Sequence, residues 1–187
     1  MGNTDTPLKL AIQKVHKAID KCINNLSTFT GYIVAAFMAI LFLQVVMRFV
    51  FKNPIYGADE LVTALMIWSM ALGNTIVYWN NEHAVIEFCM KKAPNFVKVL
   101  MHHVTNLIVL ITSSVYIPGG LSLFKMQQKL IPLGGLPFTK AYYYALPIIV
   151  MGVLLVVLSA FKTIEYIVTK DEKLLMPVRE EGGIALD

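Results

Sequence analysis

Four stretches of this chain run for roughly the 20 residues that a helix needs to cross a bilayer, and each is almost wholly apolar. They lie at about 31–51, 60–79, 97–117 and 142–168. In lipid a backbone must satisfy its own hydrogen bonds, which leaves helices and closed barrels. These runs lack the strict alternation of barrel strands. The sequence therefore predicts an all-α integral membrane protein of four transmembrane helices, forming one domain over all 187 residues. Charged residues make up 15% of the chain, against about 25% in a soluble domain, which argues the same way.

Turn chemistry separates the runs. Asn53, Pro54 and Gly57 divide the first two. Pro94 precedes the third, Pro118, Gly119 and Gly120 are expected to end it, and Pro132, Gly134, Gly135 and Pro137 fill the next loop. Pro147 falls inside the fourth run and should kink it. The tail 171–187 is polar and is expected to be a loose cytoplasmic segment. The first run follows a lysine-rich stretch and is too long for a signal-peptide core, so it is expected to be a retained span.

Basic residues set the orientation. Lys9, Lys14, Lys17, Lys21, Lys91, Lys92, Lys98, Lys162, Lys170, Lys173 and Arg179 fall on one side. Arg48, Lys52, Lys125, Lys129 and Lys140 fall on the other. The richer side is cytoplasmic, which puts both termini inside. Tyr142, Tyr143 and Tyr144 are then expected to form an outer aromatic belt, and Tyr78 and Trp79 an inner one.

Residues 8–27 read differently. Leu8, Ile12, Val15, Ile19, Cys22, Ile23 and Leu26 share one face of a helix, and Lys14, Lys17, Lys21 and Asn24 the opposite one. This amphipathic helix is expected to lie in the membrane interface, its lysines against anionic lipid. The other reading packs it on a soluble partner or on the protein's own loops.

The chemistry expected of the spans is slight. Their interiors are read as free of Asp, Glu and Lys, with Lys162 counted among the flanking basic residues. Proton relays and ion-coupling sites are normally marked by intramembrane ionisable groups. Arg48 lies near the end of the first span, and a short hairpin brings it close in depth to Asp59 and Glu60. Either these form a partly buried ion pair, or Arg48 snorkels to headgroups beside a solvated helix cap. Ala35 with Ala39, and Ser69 with Gly73, have the small-xxx-small spacing of close helix packing. Trp68 in mid-span would suit a groove on a partner. His16, His83, His102 and His103 do not form the facing intramembrane set of a haem protein, and Cys22 and Cys89 have no metal-ligand spacing. No nucleophile motif, phosphate loop, metal site or nucleic-acid-binding feature is evident.

The stretch 44–88, QVVMRFVFKNPIYGADELVTALMIWSMALGNTIVYWNNEHAVIEF, resembles the small membrane subunit of tripartite ATP-independent periplasmic (TRAP) transporters. The ordered features are Arg48, Pro54, the Asp59–Glu60 pair, Trp68, Gly73, His83 and Pro94, with Pro132 and Pro147 later. Residues 74–79 depart from the pattern, being larger than the family's usual ones. The resemblance extends over roughly residues 10–168. It implies a bacterial inner-membrane uptake system in which a periplasmic binding protein delivers an organic acid to a two-part permease. The large permease subunit would hold the substrate and sodium sites, and this chain would be a scaffold with no cofactor and no catalytic role. Arg48, Asp59, Glu60, Trp68, Gly73 and His83 are then the structural or subunit-interface candidates. A tetraspan subunit of another complex and a membrane haem carrier are the competing readings.

Overall fold

The computed structural model describes residues 7–80 and 95–169. Within them are four long helices: α1 (Pro7–Phe49), α2 (Ala58–Asn80), α3 (Asn95–Gln127) and α4 (Leu146–Thr169), the last preceded by a π-helical turn at Ala141–Ala145. All four are long and apolar enough to cross a membrane. His83, Pro94, Cys89 and the tail 171–187 lie outside the described residues.

The expected interfacial helix and first span are one uninterrupted helix. At 43 residues and 1.5 Å per residue, α1 is about 64 Å long, twice the hydrocarbon thickness of about 30 Å. The polar stretch at 24–30 does not break it, and two of its hydroxyls bond back to carbonyls of the preceding turn. Thr28 Oγ1 donates to Asn24 O at 3.2 Å and Thr30 Oγ1 to Leu26 O at 2.8 Å. The helix stops where Lys52 adopts φ +51° and Asn53 N bonds back to Met47 O at 3.0 Å.

Two proline expectations resolve differently. Pro118, Gly119 and Gly120 do not end the third helix, and α3 runs through them to Gln127. A transmembrane helix tolerates such residues when neighbours cover the freed groups, and here the glycine is used for packing. A Cβ on Gly120 would sit 2.6 Å from Ile149 Cγ1. On the facing helix, a Cβ on Gly152 would meet Ile117, Ser113 and Tyr116 at 3.2–3.3 Å. These glycines bring α3 and α4 together. At Pro147 the predicted irregularity takes the form of the π-helical turn, where Leu146 N bonds to Ala141 O. Pro147 itself has no N–H to offer and lies fully buried.

Packing runs in the order α1 on α2, α2 on α4 and α4 on α3. The 50–57 and 128–140 connections meet at one end, the loop end. At the other, terminal end, Ile23, Ile76, Tyr78, Trp79, Leu155 and Leu158 form the core, flanked by Ile19, Leu26, Val109, Met151 and Phe161. Part of the apolar stripe of α1, Ile19, Ile23 and Leu26, thus packs into this core. Ile12 and Ile23 are buried, while Val15 and Cys22 from the same predicted stripe are exposed.

Candidate functional site

Two polar clusters hold the helices, one at each end. At the loop end, the first turn of α2 carries Asp59 and Glu60, where the positive end of the helix dipole favours them. Gln44 of α1 donates to Asp59 Oδ1 at 2.5 Å. Glu60 accepts from Leu133 N at 3.2 Å and Gly134 N at 2.7 Å, and Lys140 Nζ lies 3.4 Å away. The carboxylate clasps the second loop by its backbone. The loops also touch directly: a Cβ on Gly57, already at φ +83°, would sit 2.8 Å from Gly134 Cα. Only glycines admit that approach.

Arg48 takes no part in this cluster. It is exposed, lies 6.0 Å from the Phe49 ring centroid, and among the described residues pairs with neither Asp59 nor Glu60. Of the two readings for Arg48, the ion pair with the acidic turn does not form within the described residues; Asp59 is bonded to Gln44 and Glu60 to Lys140 instead. The reason is register: Gln44, one turn earlier, is the α1 residue level with Asp59.

The second cluster, at the terminal end, was not anticipated. Lys162 and Glu165 of α4 are buried, at 8% and 4% exposure, between helices expected to carry no such groups. Lys162 Nζ donates to Tyr78 O at 2.9 Å and Trp79 O at 2.8 Å. Those carbonyls lie in the last described turn of α2, where the negative end of the helix dipole favours a cation. The ammonium also lies 4.8 Å and 5.4 Å from the Tyr78 and Trp79 ring centroids. Glu165 and Asp20 flank His16, with Nδ1 2.9 Å from Glu165 and Nε2 3.2 Å from Asp20. Carboxylates on both ring nitrogens call for two N–H donors, which is the imidazolium form.

Tyr78 and Trp79 are core residues, each 3% exposed, not an interfacial belt. Trp79 Nε1 donates to Asp20 Oδ1 at 2.7 Å and Tyr78 Oη to Asn106 Oδ1 at 2.7 Å. Ser159 Oγ donates to Asn106 O at 3.0 Å. Asn106 Nδ2 lies 3.1 Å from His102 Nε2, so that histidine is already engaged by its own helix. The sequence signal was available in the spacing of Lys162, Glu165 and Ser159. Read as one face of the last helix, they point inward together.

The remaining candidates scatter. Trp68 is half-buried. Gly73 has nothing within 4 Å of a would-be Cβ, and Ala35 and Ala39 are exposed, so these small residues do not draw the chain's own helices together. Lys14, Lys17 and Lys21 are exposed along α1. No group of three or more His, Cys, Asp and Glu side chains with metal-holding geometry occurs among the described residues.

The model of the family "Tripartite ATP-independent periplasmic transporters, DctQ component" matches residues 37–167. The chain belongs to that family. A Haemophilus influenzae protein described as a TRAP transporter small permease is 30% identical over 112 residues, which is 59% of this chain and 70% of that protein. The sialic acid TRAP transporter permease protein SiaT of Haemophilus influenzae is 28% identical over 131 residues, 69% of this chain and 21% of SiaT. DctQ components are parts of transporters and not enzymes. In this one, the matched span holds both the Glu60 clasp and the Lys162–Glu165 cluster.

Proposed function

We propose that this DctQ component is the scaffold subunit of a sodium-driven TRAP importer of an organic acid. It would work beside a large elevator-type permease subunit and a periplasmic binding protein, in the bacterial inner membrane, with both termini cytoplasmic. The observation that carries the scaffold reading is the state of its interhelical charges, of which Lys162 and Glu165 are buried and Glu60 is partly exposed. Lys162, Glu165 and Glu60 are each bonded to backbone or to a neighbouring helix. Groups so held fix helices in place and are poor candidates for carrying an ion through a cycle. Sodium and substrate sites are therefore assigned to the large subunit. Similarity to 21% of SiaT supports this division, because the rest of that longer permease would correspond to a separate partner here.

The same similarity makes sialic acid the first substrate to test, with dicarboxylates second. The experiment co-expresses this chain with a large TRAP permease subunit of the same organism, reconstitutes the pair with a cognate binding protein, and measures uptake of labelled sialic acid and succinate with and without a sodium gradient. Sodium-dependent uptake that requires both membrane chains is expected. Full uptake by the large subunit without this chain would overturn the scaffold role.

A further inference from the structure

The loop end carries an apolar surface that neither polar cluster explains. In the 128–140 connection, Leu130, Ile131, Leu133 and Phe138 are 49%, 75%, 75% and 60% exposed. Phe51 and Tyr56 of the first connection, joined to it by the Gly57–Gly134 contact, are 64% and 80% exposed. Lys52, Lys125 and Lys129 are exposed on the same connections and the adjoining helix end. Large aliphatic and aromatic side chains edged by lysines are the composition of a membrane interface, where apolar groups enter the acyl boundary and cations reach phosphates.

The backbone points the same way. A loop in water needs no internal partners for its amides, whereas one entering lipid does. At the tip, Leu130 N bonds to Gln127 O at 3.0 Å. Leu133 N and Gly134 N bond to Glu60, and Pro132 has no N–H. Only the Ile131 amide is left for headgroup or ester oxygens among residues 130–134. Lys140 N closes the neck on Leu130 O at 2.9 Å. The tip is thus both apolar and held.

We propose that the 130–133 tip is a fixed wedge seated in the lipid leaflet at the loop end, with Lys52, Lys125 and Lys129 on anionic headgroups and Glu60 setting its angle. It depends only on the helices spanning a membrane, not on what is transported. The test uses the full-length chain with Cys22 and Cys89 replaced by serine and single cysteines placed at Ile131 or Leu133. Each is spin-labelled and reconstituted with the large subunit in vesicles of phosphatidylethanolamine and phosphatidylglycerol. Collision rates with oxygen and with a water-soluble nickel chelate are compared with those of a label at Ile111 on α3, which is also exposed. High oxygen and low nickel access at both tip positions is expected, with depth decreasing when phosphatidylglycerol is omitted. High nickel access would place the tip in water. Low access to both reagents would place it against the partner subunit, and either result overturns the wedge. Depth unchanged without phosphatidylglycerol would overturn the headgroup contact.

Discussion

At the scale of residues, the structure redistributes the charges. Arg48 is exposed and does not pair with the acidic turn of α2. Arg48→Ala should therefore leave the yield and melting temperature of the chain unchanged, measured by fluorescence-detected size exclusion after heating. Lys162 is the opposite case. It occupies the carbonyl end of α2 and lies in the same cluster as Glu165 and Asp20. Removing one member of a buried charged set leaves the others uncompensated, at a cost of about 3–5 kcal/mol. Lys162→Met should lower the unfolding free energy by that order in detergent micelles, and the companion change Glu165→Gln should recover part of it. Glu60→Gln retains the volume and removes the charge. It should speed hydrogen exchange at Leu133 and Gly134 first, since their amides bond to that carboxylate.

At the scale of elements, α1 was legible as helical throughout but not as continuous. Its hydrophobic period identified the residues that turn inward, and Ile12 and Ile23 do. The period could not say whether lipid or protein would receive them, because both accept the same side chains. Trp79, Asp20, His16 and Glu165 make it protein. Ile23→Ala should cost about 2–5 kcal/mol as a core truncation. Val15→Ala, on an exposed part of the same stripe, should register little in the same unfolding assay. For α3 and α4 the contact is set by glycine. Gly152→Leu would drive a side chain into Ile117 and Tyr116. About 1–3 kcal/mol of overpacking is expected, visible as a lower melting temperature without loss of membrane insertion.

At the scale of the whole molecule, the proposed orientation predicts a labelling pattern. Single cysteines at Asp5 or Glu180 should resist an impermeant thiol reagent in intact cells, while one at Gln128 should react. Labelling at either terminus from outside would reverse the proposed topology. The sequence by itself determined the four spans, the acidic opening of α2, the helical state of residues 8–27 and the family, because length, apolar content and local turn residues suffice for these. Only the tertiary structure decided which residues pair. It placed Gln44 rather than Arg48 beside Asp59, buried Lys162 and Glu165, turned Tyr78 and Trp79 inward and carried α3 through Pro118. Each of those outcomes depends on the relative register of two helices. Register is fixed by contacts between distant segments, so neither the composition nor the period of one segment contains it.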